Sequence, residues 1–348
     1  MATRGEIVEE LADIIKDYRA GEIEPRSPAI IKGWVAQFPR DKQDDLLVAL
    51  VNVFNNTYLS KDSFKGFLRG LAGINKFSLG IVPAEYWKSV HYLNIQRGGS
   101  SQKDILSAFD EVLLELYGYQ TVNSSNTRND FIYLDDCIAT GMRVRADLCT
   151  WIETLAPPVA KVHVIAPAKY RGSYWIEDKI KEAATANGKN ISVQFWRLDQ
   201  FDLENRRAYR NCSDVLWPVA FPADSDVQSY IQSLQILGHG PDTRATGHSG
   251  KCNLFGSDSE KQLIEEMMLV RGCQIRREQT NLPPVARPLG FHNLDCSGFG
   301  SMFITYRNCP NNCPLALWVE QGAYPALFPR KTNTHTNIIN IFMNNPFA

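Results

Sequence analysis

The sequence has no apolar run near the roughly 20 residues that a membrane-spanning helix needs. The opening Met1-Ala2-Thr3-Arg4-Gly5-Glu6 lacks the apolar centre of a secretory signal, so the cytosol is the expected compartment. Charge of one sign is missing too. Lys and Arg number 37 against 38 Asp and Glu, a formal net charge of -1. That excludes a protein whose whole surface grips nucleic acid and leaves room only for a local basic patch. Histidine is scarce, and no pair has the helical spacing of a metal site. Eight cysteines in 348 residues are too few for a disulfide scaffold. The nearest pair is Cys309 and Cys313, with Cys296 and His292 upstream. Three residues lie between them and no second pair follows, which reads as reduced, partly buried thiols rather than zinc. Internal repeats and low-complexity tracts are also absent.

What is present is helical at first. Ile7, Leu11, Ile14 and Ile15 recur at spacings of three and four, which predicts an amphipathic helix over Glu6–Tyr18. Trp34, Val35 and Phe38 continue the style, and Leu46–Phe54 and Lys61–Leu71 read as further helices. Residues 1–78 are therefore expected to form a helical N-terminal cap, which can double as a docking surface for a partner. The grammar then changes. Strands are expected at Val90–Ile95, Phe131–Leu134, Val162–Ala166 and Ile191–Trp196, and helices at Gln102–Tyr117, Thr140–Leu155 and Trp175–Ala186. Such alternation predicts an α/β core over residues 79–200, a mostly parallel sheet flanked by helices. Residues 201–348 read as a mixed C-terminal extension, with helices at Asp224–Leu237 and Ser257–Val270 and a strand at Phe299–Tyr306.

The segment that carries chemistry is Phe131-Ile132-Tyr133-Leu134-Asp135-Asp136-Cys137-Ile138-Ala139-Thr140-Gly141. It is a buried strand, two acids, a short loop, Thr-Gly and then a helix. In a parallel sheet, ligands sit beyond the carboxyl ends of the strands. A loop entering a helix N-terminus offers free N–H groups and a positive dipole end to a phosphate. Gly141 permits close backbone approach and Thr140 adds a hydroxyl. Asp135 and Asp136 suit ribose hydroxyls and Mg²⁺, held directly or through water. Phosphate on one side and a diol on the other describe a ribose 5-phosphate. The plainer reading is a strand ending in surface acids before an ordinary helix cap.

These residues resemble the motif with which type I phosphoribosyltransferases bind phosphoribosyl pyrophosphate (PRPP). The resemblance implies that Asp135 and Asp136 face the ribose, with catalytic and Mg²⁺-holding roles. It implies that Cys137, Ile138, Ala139, Thr140, Gly141, Met142 and Arg143 wrap the 5-phosphate. One departure stands out: the family often ends this loop on Thr or Ser, where Met142-Arg143 stands here. Upstream, Ile95-Gln96-Arg97-Gly98-Gly99 resembles the family's pyrophosphate loop, so Arg97, Gly98, Gly99 and Ser100 are the implied contacts. Paired glycines expose N–H groups, and Arg97 supplies fixed charge. The polar stretch Gln120–Asp130 falls where the family carries a flexible lid, with Arg128 as a candidate phosphate contact.

A broader resemblance takes in Trp34-Val35-Ala36-Gln37-Phe38, the acid-pair core, Ser297-Gly298-Phe299-Gly300-Ser301 through Asn308-Cys309-Pro310-Asn311-Asn312, and Trp318. These look like the phosphoribosyltransferase-like proteins associated with bacterial conflict elements, found near anti-phage defence genes including some retrons. That implies an effector, in some cases paired with a reverse transcriptase and its RNA–DNA product. Ser297–Asn312 reads either as a hood over a base, its Asn amides reading base edges, or as a tight turn capping a strand. Tyr170 is either a stacking surface for a base or a plain aromatic. Two motifs fail. Gly247-His248-Ser249-Gly250-Lys251 would need Gly where Ala245 stands to be a P-loop, and Gly where Lys251 stands to be a nucleophile elbow. The expected chemistry is transfer or hydrolysis at the anomeric carbon of PRPP or a nucleotide. The alternatives are a catalytically silent module that binds such ligands as a sensor or scaffold, and a toxin that consumes nucleotides.

Overall fold

A computed structural model describes the chain except residues 1, 75–79, 98–100, 207–212, 239, 241–242, 248–249, 280, 293–295, 321, 323 and 332–348. Gly98, Gly99 and Ser100 of the implied pyrophosphate loop thus lie outside the described residues. The chain forms two compact units, one of Met1–Lys61 with Leu203–Arg330 and the other of Asp62–Asp202 with residues from Lys331.

The first unit opens on α1 (Arg4–Ile14). The Thr3 hydroxyl accepts from the Glu6 N–H while the Glu6 carboxylate accepts from the Thr3 N–H, a capping box that satisfies donors the helix leaves open. α2 (Pro28–Val35) starts on Pro28, whose missing N–H costs nothing in a first turn. α3 (Gln43–Thr57) packs on α1, and β1 (Tyr58–Leu59) pairs in parallel with Ile304–Thr305 of the C-terminal half. Of the N-terminal cap expected over 1–78, the part up to Lys61 thus shares a unit with the C-terminal half, and the part from Asp62 belongs to the other unit. Trp34, fully buried, donates its indole N–H to the Ala316 carbonyl at 2.8 Å.

In the second unit come α4 (Lys61–Gly73), α5 (Pro83–Ser89), β2 (His91–Tyr92), α6 (Ser101–Tyr117), β3 (Asp130–Leu134), α7 (Met142–Thr154), β4 (Val159–Ile165), β5 (Lys169–Tyr170), α8 (Ile176–Ala186) and β6 (Asn190–Trp196). Four strands form a parallel sheet in the order β2-β3-β4-β6. Register runs Phe131 to Val162 and Val162 to Val193. Phe131 and Tyr133 join Val144, Leu148 and Trp151 of α7 and Ile176 and Ile180 of α8 in one apolar cluster. Ile132 and Leu134, on the alternate face, are equally buried. A strand buried on both faces has to be apolar throughout, which is why it is so plain in the sequence.

The chain then re-enters the first unit through α9 (Ser225–Ile236), α10 (Asp258–Glu278) and α11 (Leu315–Trp318). α10 runs eight residues past its expected end at Val270 and packs on α3, α9 and α11. The fold is mixed α/β, mostly parallel in its sheet, with a helical N-terminal region and a C-terminal extension.

Candidate functional site

β3 delivers the chain to the carboxyl edge of the sheet, and there it breaks into the Asp135–Gly141 loop. Asp135 keeps one last ladder bond, its N–H to the Ile165 carbonyl at 3.0 Å. Ile138 ties the loop to the neighbouring connection: it donates to the Ala168 carbonyl and accepts from the Tyr170 N–H, each at 2.9 Å. The loop ends at Gly141, whose φ of +79° makes it a left-handed cap for α7. No described residue accepts from the N–H groups of Ala139, Thr140 or Gly141. The Met142 N–H meets only the Thr140 hydroxyl, at 3.4 Å. The result is a run of unspent backbone donors leading into the positive end of a 13-residue helix.

Carboxyl groups are concentrated beside those donors. Asp135 is buried and Asp136 half-buried, and the Asp136 N–H donates to Asp135 Oδ1 at 2.9 Å. Burial first, and the Asp136 charge second, push the Asp135 carboxyl well above the usual carboxylate range. Asp147 of α7 is buried as well, and burial raises its carboxyl despite the Tyr133 hydroxyl bonded to it. Carboxylates crowded out of water repel one another, and a cation relieves that cost.

The second loop is built around Gln102, which is 1% exposed. Its Oε1 accepts from the N–H groups of Ile95 at 2.6 Å and Gln96 at 3.0 Å. The Gln96 side-chain oxygen returns the favour to the Gln102 N–H at 3.1 Å. Those bonds end β2 after two residues, where a six-residue strand was expected. Among the described residues the Gln102 Nε2 meets no acceptor, which leaves a buried donor pair for a water or a ligand. Arg97 is exposed, and α7 holds both polar groups of its backbone. Arg143 donates to the Arg97 carbonyl at 2.8 Å, and Asp147 Oδ1 accepts from the Arg97 N–H at 3.5 Å. The other Asp147 oxygen accepts from the Tyr133 hydroxyl at 2.9 Å. The two loops read separately from the sequence are therefore joined by side chains of one helix.

Residues 31–330 match the family model PRTase-CE. The chain belongs to this phosphoribosyltransferase-like, conflict-element-associated family. No curated protein and no solved structure matches it. The PRTase-CE match spans both loops and most of the two units.

Other expected contacts in this PRTase-CE chain lie elsewhere. Arg128 precedes β3 while Asp135 follows it, which sets the two roughly 20 Å apart along the strand. Arg128 pairs with Asp130 at 2.9 Å and covers the Tyr86 ring. The expected lid is tied down at that same end. Ser125 and Arg128 donate their N–H groups to Lys88 and Ser89, and Tyr119 donates its hydroxyl to Ala84. Tyr170 is fully buried, so it offers no face for a base.

Ser297–Ser301 is core rather than hood. At Gly298 an added Cβ would lie 2.5 Å from the Leu289 carbonyl carbon, and at Gly300 2.4 Å from the Leu216 oxygen. Asn312 spends its amide on the Phe291 carbonyl. Cys309 and Cys313 are buried free thiols, and burial pushes Cys309 well up. Among the described residues no group of three or more His, Cys, Asp or Glu is arranged to hold a metal, and no helix is long and apolar enough to cross a membrane.

Proposed function

We propose that this chain is a phosphoribosyltransferase-like effector of a bacterial anti-phage defence system, in the retron-associated style. In this reading it binds PRPP or a nucleotide and acts at the anomeric carbon. The observation that carries the proposal is the run of unspent N–H groups from Ala139 to Gly141, closed by a left-handed glycine at the head of α7 and preceded by two acids at the edge of a parallel sheet. The donors take the 5-phosphate; Asp135 and Asp136 take the ribose hydroxyls. A reverse transcriptase and its RNA–DNA product are the proposed macromolecular partners.

Mg²⁺ fits the chemistry of this donor set, since Asp135 and Asp136 place adjacent carboxyl oxygens, hard donors of the kind that ion takes, at the head of the loop. Asp135 and Asp136 would hold it, and when bound it supplies charge neutralisation to the departing pyrophosphate. The protein's own groups do the rest. Bond cleavage at the anomeric carbon has oxocarbenium character, so no protein nucleophile is required. The loop donors fix the phosphate end, Asp135 and Asp136 stabilise the charge that develops on the ribose, and Arg97 meets the leaving group.

Calorimetric titration with PRPP and Mg²⁺, beside ribose 5-phosphate and nucleoside monophosphates, tests the reading. The wild type should bind PRPP, and Asp135→Asn with Asp136→Asn should weaken it by at least about tenfold, a loss of roughly 1.4 kcal/mol. A wild type that takes none of these ligands, or a double variant that binds as well as the parent, sinks the proposal. The tethering of residues 119–130 away from the loop favours a second reading, a silent sensor or scaffold that binds without turnover. Saturating PRPP and Mg²⁺ with no product over hours would select it.

A further inference from the structure

We propose that Arg143, Asp147 and Tyr133 form a clamp that sets the Arg97 loop for the pyrophosphate end of the ligand, and that Arg143 serves this clamp rather than the 5-phosphate. The inference rests on the PRPP reading above and names residues that act through another, so they are positioning residues.

Arg143 and Asp147 stand four apart on α7 and therefore share a face. Both reach the same residue of the other loop. Arg143 takes the Arg97 carbonyl and Asp147 takes the Arg97 N–H, so both polar groups of Arg97's backbone are held from one helix. The Arg97 side chain itself is exposed, with the Asp147 carboxylate near enough to feel its charge, so it is placed to meet a ligand. The Asp147 carboxylate is in turn oriented from beneath by the Tyr133 hydroxyl, on the strand that delivers the acid pair. Gln102 fixes the entry to the loop independently, through Ile95 and Gln96.

The departure at the end of the 5-phosphate loop then has a physical account. A Thr or Ser at position 143 could not span the gap to Arg97. An arginine can, and its planar donors suit a carbonyl. What that position gives up toward the phosphate, it supplies to the second loop. Binding at the α7 end and at the Arg97 end are consequently coupled through a rigid helix, and the benefit is confined to ligands that carry a group for Arg97.

Asp147→Leu with Tyr133→Phe removes the acceptor and the donor together, which spares the core an orphaned hydroxyl. Arg143→Met removes the other half from a half-buried position. Calorimetry with PRPP and Mg²⁺, and separately with ribose 5-phosphate and Mg²⁺, reads the result. Each variant should bind PRPP about tenfold more weakly while ribose 5-phosphate affinity stays as in the parent. Ribose 5-phosphate binding also reports that the pocket is folded. An equal loss for both ligands in Asp147→Leu/Tyr133→Phe means a structural role, and in Arg143→Met it means a direct phosphate contact; either overturns the clamp. No loss in both variants overturns it too. A parent protein that binds neither ligand brings down the PRPP reading itself, which is a separate and recognisable outcome.

Discussion

Gly141→Ala is expected to abolish PRPP binding and to cost roughly 3 kcal/mol of stability. Two independent terms add. The first is conformational: Gly141 sits at φ +79°, where an L-residue with a Cβ pays about 1–2 kcal/mol. The second is steric. An added Cβ would lie 1.8 Å from Ile176 Cδ1 and 2.6 Å from its Cγ1. Ile176 is fully buried in the cluster between α7, α8 and the sheet, so it has little space to yield. Overpacking of that kind typically costs about 1–3 kcal/mol. Binding suffers because the strain falls on the loop that presents the free N–H groups. Hydrogen exchange across β3 and β4 under urea reads the stability of this unit, and calorimetry reads the ligand. Ile176→Ala alone should cost about 2–4 kcal/mol through its cavity. Combined with Gly141→Ala it should cost clearly less than the sum, since each change relieves the other. Strict additivity, or a Gly141→Ala variant within about 0.5 kcal/mol of the parent, would show that the glycine is not required there.

The parts that were legible in the sequence share a cause: each is enforced locally. Phe131–Leu134 is buried on both faces, so no polar residue interrupts it. Gly141 is needed for a positive φ within one turn. The parts that were not legible depend on partners far along the chain. Arg143 finds Arg97 across 46 residues, and Arg97 finds Asp147 across 50. From the sequence Arg143 is assigned to the 5-phosphate loop, and Asp147, four residues on along the helix, carries no reading at all. Gln102 looked like the first residue of a helix, and its capture of two N–H groups is what shortens β2. The helix expected to end at Val270 continues through Gly272 to Glu278. Gly272 is there for packing: its missing Cβ admits the Pro288 backbone, which would otherwise lie 2.5–2.8 Å away. The division at 61 and 203 leaves no mark in composition, since the first helices and the C-terminal half have the same apolar needs and meet only in space.

Arg244→Met should cost the first unit about 3–5 kcal/mol, the penalty for leaving a buried carboxylate short of its partner. The Arg244 guanidinium is fully buried and donates from Nε and Nη2 to the two oxygens of Glu265, at 3.2 and 2.9 Å, and from Nη1 to Asp258 at 2.7 Å. Glu265 also takes the Trp217 N–H at 2.8 Å. Beside it the Lys261 ammonium, equally buried, donates to the Ser213 carbonyl at 2.5 Å. Faster exchange of the Trp217 amide in Arg244→Met places the damage locally. A full-length melt unchanged within about 0.5 kcal/mol would remove this network from the account of stability.

The same network carries a pH signature. Burial, only partly offset by Glu265, brings Lys261 down to about 8, and Arg244, Asp214 and Asp258 also face it. Folded Lys261 therefore holds fewer protons than the unfolded chain between about pH 8 and 10.5, and its contribution to stability rises with pH across that window. Below it, keeping the ammonium charged in the core costs about 3 kcal/mol. Glu265 is raised by its own burial, so its contribution falls as pH climbs from its ordinary value through its folded one. Urea titrations of the parent and of Lys261→Met between pH 7 and 10 isolate the lysine: the difference between them should drift steadily toward favouring the parent as pH rises. A constant difference would mean that Lys261 titrates as an ordinary exposed amine and that its burial is compensated by groups other than those named.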